Sequence, residues 1–156
     1  MKSLIENFLN RLDEIYMTHD KGPVYHGTNQ HIAQFDLDKI GSGNSRSDWG
    51  YGFYFGTDVD TAKRFGKNII EAYLSYSNPL RIDVMKSGES MRLGDEFGFD
   101  EGTWKQWIRS QTPQQFISTL REKGYDAIEV TGMGKTYEII VFDPSQIKIT
   151  NQSVMK

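Results

Sequence analysis

The strand-like and helix-like segments of this sequence are short and follow one another in an irregular order. Apolar residues alternate along 68–76, as in a half-buried strand, and 138–142 is a second strand-like run. Between them, Thr112–Lys123 begins with the capping residues of a helix. A doubly wound parallel sheet requires a regular alternation of strands and helices, which this chain lacks. The sequence therefore predicts an α+β fold.

The composition excludes several classes of protein. Aromatic residues make up 13% of the 156 residues, which argues against disorder, and the net charge of −3 argues against a surface that is basic overall. There is no cysteine, which excludes disulfides, thiolate metal ligands and a cysteine nucleophile. The three histidines form no metal-binding pair, so we expect no metal site.

The length predicts a single domain over 1–156. Apolar spacing predicts an amphipathic helix over 3–18, within an N-terminal region 1–22, that packs on the core or docks a partner. The polar, Gly-rich stretch 86–102 predicts a loop, and 41–48 predicts a mobile one. No apolar run could span a bilayer or act as a signal peptide. We therefore expect no membrane partner and a cytoplasmic location, or delivery into a target cell.

Three short segments carry residues that are suited to chemistry. Tyr25–Thr28 puts a histidine just before Gly27, which is expected to end a short strand. Gly50–Phe55 is an aromatic-rich strand, followed one short helix later by Phe65. Glu138 is a carboxylate in an apolar strand, which is unfavourable unless it has a partner or a purpose. Each also has an ordinary explanation as a satisfied surface histidine, core aromatics or a solvent-facing acid.

Taken together, the three segments resemble the ADP-ribosyltransferase fold, in the His-Tyr-Glu class shared by diphtheria toxin and the poly(ADP-ribose) polymerases. Tyr25–Thr28 is similar to the family's aromatic-His-Gly-Ser/Thr, and Gly50–Phe55 to its Gly-x-Gly-Ile/Leu-Tyr-Phe. Glu138–Asp143 is similar to its Glu-Tyr-Ile-Val-Tyr-Asp ending. The resemblance covers a core at 23–149 and implies a split β-sandwich with short helices.

The resemblance also implies which residues bind NAD, the co-substrate of this family. His26 would hydrogen-bond a ribose hydroxyl, and Gly27, followed by Thr28, would present backbone groups to the nicotinamide amide. Tyr54 and Phe65 would hold the nicotinamide ring between them. Relatives often have a second tyrosine where Phe65 stands, and phenylalanine keeps the stacking surface.

By the same resemblance, Glu138 would be the catalytic acid, with His26 and Tyr54 completing the catalytic set. A preorganised carboxylate stabilises the positive charge that develops on the ribose as nicotinamide leaves. Thr61, one helical turn before the second stacking ring, would bring a hydroxyl near the amide. Thr136 stands where arginine-modifying relatives carry Glu or Gln, which argues against modification of arginine by that route.

The implied function is mono-ADP-ribosyl transfer from NAD to a protein or nucleic-acid acceptor, without a metal. A small bacterial or phage toxin or effector, with an antitoxin or immunity partner, is the implied setting. Two alternatives stay open: an NAD glycohydrolase with water as acceptor, and a non-catalytic module that binds NAD or ADP-ribose. An RNA 2′-phosphotransferase is less favoured, because that family uses His and Arg on a basic surface.

Overall fold

The computed structural model of the chain describes residues 3–5, 18–40, 46–100 and 102–154. The strands in these residues are β1 (Lys21–Thr28), β2 (Arg46–Ser47), β3 (Gly50–Tyr51), β4 (Phe53–Gly56), β5 (Asn68–Leu74), β6 (Pro79–Asp83), β7 (Ala127–Gly132), β8 (Lys135–Val141) and β9 (Ile147–Val154). The helices are α1 (Val59–Lys63), α2 (Glu89–Phe97), α3 (Trp104–Arg109) and α4 (Pro113–Glu122). The predicted helix over 3–18 lies mostly outside the described residues, as do residues 41–45 of the mobile loop predicted over 41–48. The end of that predicted loop is instead the short strand β2 (Arg46–Ser47).

Within the described residues, seven strands form one sheet in the order β6-β7-β8-β4-β1-β5-β9. Neighbouring strands run antiparallel except β6 and β7, which are parallel. The strands β1 and β4 meet at one pair of residues, Tyr25 and Gly56, whereas β4 pairs with β8 along its whole length. The sheet is therefore divided at this junction into a β6-β7-β8-β4 half and a β1-β5-β9 half. The α+β class predicted from the sequence is confirmed.

Buried aromatic rings fix three helices on the β7 side of the sheet. Trp104 of α3 lies 5.1 Å from Phe97 of α2 and 5.9 Å from Phe116 of α4, measured between ring centroids. Phe116 also meets Tyr51 of β3 in an edge-on contact at 5.6 Å. All four rings are buried. Aromatic pairs contribute stability to the fold beyond the effect of the area that they bury. This cluster therefore holds the three helices against the core.

The predicted helix starts are confirmed by their capping bonds. The Thr112 hydroxyl accepts from Gln115 N at 3.1 Å, and the Gln115 side chain accepts from Thr112 N at 2.9 Å. Asp58 caps α1 in a similar way, accepting from Thr61 N at 2.8 Å. These side chains satisfy backbone N–H groups that a first helical turn leaves without partners.

The prediction of a loop over 86–102 is wrong, because α2 occupies Glu89–Phe97. Its buried side is small, comprising Leu93 and Phe97 at a four-residue spacing together with Gly94. Glycines with φ of 82°, Gly88 and Gly98, flank the helix on either side. Two apolar anchors among polar residues give a weak periodic signal, which explains why the sequence pattern indicated a loop.

The prediction that Gly27 ends the first strand is also wrong. β1 continues through it to Thr28, and Gly27 pairs with Ile69 of β5. A Cβ atom at Gly27 would lie 1.8 Å from the carbonyl oxygen of Ala62 in α1, so the glycine permits close packing. The predicted strand over 50–55 is interrupted at Gly52, between β3 and β4, and β9 is longer than expected.

Candidate active site

His26 lies on β1 at the junction between the two halves of the sheet. Its Nδ1 lies 2.7 Å from the carbonyl oxygen of Tyr54 on β4. Its ring packs edge-on against Phe35 at 5.1 Å and against Phe55 at 5.7 Å, between centroids. Burial lowers the pKa of His26, an effect that the hydrogen bond to Tyr54 partly opposes.

This environment determines which tautomer His26 adopts. A carbonyl oxygen can only accept, so the Nδ1 of His26 must carry the proton that it donates to Tyr54. Because the lowered pKa keeps the ring neutral near pH 7, Nε2 is left unprotonated. His26 therefore offers an acceptor nitrogen, which suits a hydroxyl donor rather than an anion.

Tyr54 is fixed by both its backbone and its hydroxyl. It pairs with Ile140 of β8, and its hydroxyl donates to the carbonyl oxygen of Gly50. Gly52 allows β4 to approach β8, because a Cβ atom there would lie 2.5 Å from the Cγ2 of Ile140. The Tyr54 ring is half-buried and is held in one orientation.

A cavity of about 670 Å³ opens beside these residues. Four of the residues predicted from the sequence line it: His26, Gly27, Thr28 and Tyr54. The rest of the lining is the segment 29–36, which we call the cavity wall, together with Lys39, Gly52 and Phe53. The volume lies within the range of small-molecule sites, about 300–1,000 Å³.

Glu138 lies on β8, outside the lining of this cavity. It pairs with Gly56 of β4, which in turn pairs with Tyr25, the neighbour of His26. Glu138 is therefore two strands away from β1, at the junction where the sheet divides. The residue is half-buried, and its Oε1 is shielded from solvent.

Thr61 of α1 lies over the same junction. A Cβ atom at Gly56 would lie 3.1 Å from the Cβ and Cγ2 atoms of Thr61. Because paired residues project to the same face, Thr61 and Glu138 are neighbours above Gly56. The Thr61 hydroxyl donates to Asp58 Oδ1 at 3.0 Å, and the hydrogen bonds from Thr61 are the main cause that lowers the pKa of Asp58.

Phe65 follows the end of α1 and is 44% exposed. The next residue, Gly66, packs against the backbone of Thr28, since a Cβ atom there would lie 2.2 Å from the carbonyl carbon of Thr28. Phe65 is thus close in the fold to a cavity-lining residue without lining the cavity itself. The predicted residues form two neighbouring groups: one lines the cavity, and the other comprises Thr61, Phe65 and Glu138.

The turn before Glu138 exposes apolar side chains. Met133 is 80% exposed, Met85 is 66% exposed and Tyr137 is 45% exposed. Tyr137 and Met85 both converge on Gly132, at 3.1 Å and 3.3 Å from a Cβ atom built there. Thr57 ties this turn to β4, because its hydroxyl donates to the carbonyl oxygen of Thr136 at 2.9 Å.

The sequence patterns missed the cavity wall and the side chains that hold it. Residues 29–36 have no periodic apolar spacing, and their one buried aromatic residue, Phe35, was not singled out. Asn68 and Gln152 bind this wall and were missed as well. Asn68 itself was a usable signal for this wall. It is a polar residue at the start of an apolar strand, and it is only 6% exposed, so its amide needs hydrogen-bond partners.

Among residues 3–5, 18–40, 46–100 and 102–154, no group of three or more His, Asp or Glu side chains is arranged to hold a metal ion. The helices in the same residues are all too short or too polar to cross a membrane.

Comparison with known families places the chain in a class. The chain belongs to the ART-PolyVal family, described as ADP-ribosyltransferase in polyvalent proteins, whose model matches residues 21–155. That span includes both halves of the sheet and every predicted site residue. The protein thus carries an ADP-ribosyltransferase domain, and this family uses NAD as its substrate.

Two solved structures are similar to the chain. One is the crystal structure of an anti-CRISPR protein, with 13% identity over 86% of this chain and 99% of that one, and a TM-score of 0.46. The other is the M. tuberculosis MbcT–MbcA toxin–antitoxin complex, with 12% identity over 99% and 94% of the two chains and a TM-score of 0.42. A search of curated proteins gives no match.

Proposed function

We propose that the protein is an NAD-dependent mono-ADP-ribosyltransferase of the His-Tyr-Glu class, of the small bacterial or phage type, with its catalytic core at 23–149. It would release nicotinamide and transfer ADP-ribose to a macromolecular acceptor. One observation carries the proposal: His26 and Tyr54 are joined by a 2.7 Å hydrogen bond across the junction of the sheet where Glu138 also lies. Membership of an ADP-ribosyltransferase family supports the reaction class.

The cavity fits the binding role. Its volume of about 670 Å³ suits a small-molecule ligand. The acceptor nitrogen of His26 is suited to a ribose hydroxyl, which can donate to it. Gly27 and Thr28 line the same cavity and are the residues that we assign to the nicotinamide amide. The ring of Tyr54 and the exposed ring of Phe65 are suited to stack on the flat nicotinamide.

Glu138 is the residue that we assign to the chemical step. In the proposed reaction the bond between the ribose C1′ and the nicotinamide nitrogen breaks, and its electron pair leaves with nicotinamide. An acceptor lone pair forms the new bond to C1′, and the acceptor's proton is released. The carboxylate of Glu138 would stabilise the positive charge that develops on the ribose. Single groups of this kind contribute about 100- to 1,000-fold in rate.

The acceptor is expected to approach from the turn at Gly132–Tyr137, which precedes Glu138. Its exposed Met133 and Tyr137, with Met85 beside them, offer an apolar surface that a macromolecule could cover. We propose that this turn, with the segment 41–48, selects a protein or nucleic-acid acceptor.

A biological role is part of the proposal. Unrestrained transfer would consume NAD and modify cellular macromolecules, so we infer a toxin or effector acting in the cytoplasm of its own or a target cell. Such an activity calls for an antitoxin or immunity partner. Induced expression should arrest growth in the wild type, whereas expression of Glu138→Gln to the same level should not.

The test is the release of nicotinamide from NAD by the purified protein, with Glu138→Gln beside it. Release that Glu138→Gln abolishes is the expected result. Labelled ADP-ribose should then appear on a macromolecule of an added cell lysate. Release without any labelling would indicate a glycohydrolase. NAD binding without release, lost in Tyr54→Ala, would indicate a binding module, and neither binding nor release would contradict the proposal.

A further inference from the structure

Two side-chain amides from neighbouring strands hold the backbone of the cavity wall. Asn68, at the start of β5, donates through Nδ2 to the carbonyl oxygen of Gln30 at 2.8 Å and to Gln152 Oε1 at 2.5 Å. Gln152, on β9, accepts from Ile32 N at 2.9 Å and donates through Nε2 to Ile32 O at 2.7 Å. We call Asn68 and Gln152 the amide clamp.

The amide clamp acts on residues that line the cavity. Gln30 and Ile32 belong to its lining, together with His26. Three residues after Ile32, Phe35 contacts the His26 ring edge-on at 5.1 Å. A shift of the backbone at 30–32 would therefore change both the width of the cavity and the packing of His26.

The clamped segment, residues 30–32, follows β1, which ends at Thr28. Beside the amide clamp, Gln30 N donates to the Thr28 hydroxyl at 3.2 Å and Lys67 N donates to Asn29 Oδ1 at 3.3 Å, and Ile32 packs against the core. Gln152 supplies both bonds to Ile32, 120 residues away along the chain.

We propose that Asn68 and Gln152 are positioning residues for the co-substrate. By fixing the cavity wall at 30–32, they set the affinity for NAD and leave the rate of bond cleavage unchanged. A wall that is already ordered loses less conformational entropy when a ligand binds. The inference rests on the proposed function, because NAD is the ligand whose affinity is measured.

Gln146 provides a matched control. It is buried, and its amide makes four bonds to backbone atoms, compared with two for Gln152: it donates to Ser75 and Asp126 and accepts from Phe142 and Asp143. Gln146 does not line the cavity beside His26. Replacing either glutamine by methionine removes the same kind of bonds at similar side-chain volume. The two variants therefore separate an effect on the cavity from an effect on stability.

The experiment compares Gln152→Met, Gln152→Glu and Gln146→Met. For each variant we would measure kcat and KM for nicotinamide release, the Kd of NAD by calorimetry, and Tm. Gln152→Met should raise KM and Kd about tenfold, the size of one or two net hydrogen bonds, with kcat nearly unchanged. Gln152→Glu keeps an acceptor for Ile32 N but places a carboxylate oxygen against the Ile32 carbonyl oxygen, which can only accept, so its KM should rise as well. Gln146→Met should lower Tm and leave KM unchanged.

Three results would overturn the inference. They are an unchanged KM in Gln152→Met, an equal rise in KM in Gln146→Met, and a fall in kcat alone. If Gln152→Met does not fold, an unchanged KM in Gln152→Glu would have the same meaning. Any of these results, obtained while the wild type releases nicotinamide, would leave the proposed function intact. A wild type that neither binds NAD nor releases nicotinamide would remove both.

Discussion

The two sides of the candidate site are built differently. On the cavity side, His26 packs against two aromatic rings, and the amide clamp holds the backbone of the cavity wall. On the Glu138 side, β7 and β8 are joined by Met133 and Gly134, and apolar side chains are exposed around that turn. One side is fixed by hydrogen bonds and packing, and the other presents surface. We infer that the fixed side binds the constant substrate, whereas the exposed side meets the acceptor.

The largest effect is expected from the tightest contact on the fixed side. Gly27→Ala would put a Cβ atom 1.8 Å from the carbonyl oxygen of Ala62, so β1 and α1 would have to separate. We expect the free energy of unfolding to fall by about 3 kcal/mol, the upper end for overpacking, in urea denaturation.

Gly98→Ala is the control for that change. Gly98 has a φ of 82° but nothing within 4 Å of an added Cβ atom, so its replacement introduces backbone strain alone. Its cost should be about 1–2 kcal/mol. Equal losses in the two variants would mean that β1 and α1 do not pack as closely as described.

We also expect stability and NAD affinity to depend on pH through His26, on the cavity side. Because burial lowers the pKa of His26, the unfolded chain binds a proton there more readily, and the free energy of unfolding should rise with pH up to about 6.5. NAD affinity should be constant near pH 7 and fall only at lower pH, where the lowered pKa of His26 in the folded protein is reached, since a protonated Nε2 cannot accept a hydrogen bond. Calorimetric titrations with NAD at a series of pH values up to 7 measure this change in affinity.

His26→Gln should weaken NAD binding about tenfold, the size of one or two hydrogen bonds, and remove the acid-side dependence. His19→Gln is the matched control, because His19 contacts Ser145 and does not line the cavity. An acid-side loss that persists in His26→Gln would assign the titration to another group.

The sequence predicts some parts of the candidate site better than others. The candidate site residues stand out because they lie next to glycines or in apolar strands, and their roles, which stay predictions, come from the resemblance to a family. The cavity wall was not found, because its bonds join Ile32 to Gln152 across 120 residues and leave no local pattern. The helix α2 was missed for another reason, since Leu93 and Phe97 are its only buried apolar side chains and give a weak periodic signal. Local periodicity therefore predicted the strands, and long-range polar contacts remained invisible to it.

Phe65, next to Gly66, which packs against Thr28, should have a smaller effect. It is 44% exposed, so Phe65→Ala should hardly change stability. If the ring stacks on nicotinamide, its loss should raise KM for NAD about fivefold. Phe65→Tyr, which keeps the ring, should match the wild type. Equal KM values for alanine and tyrosine would exclude a stacking role.

The smallest effect on NAD chemistry is expected on the exposed side. Thr136→Glu should change which lysate macromolecules are labelled, while nicotinamide release into water stays within about twofold, as for surface substitutions. Ser153→Glu adds the same charge on β9, at the far edge of the sheet. It should alter neither the labelling of macromolecules nor the release of nicotinamide. Parallel losses of labelling and hydrolysis in Thr136→Glu would show that the two sides are not separable.

The division of the site into a cavity that binds NAD and a Glu138 side is tested most directly by Glu138→Gln. Calorimetry would measure its NAD binding, and nicotinamide release would measure its rate. Glu138 lies outside the cavity lining, and the amide is nearly the same size as the carboxylate. The account predicts a Kd close to that of the wild type and a rate about 100- to 1,000-fold lower. A Kd that rises as steeply as the rate falls, or a rate that is unchanged, would contradict it.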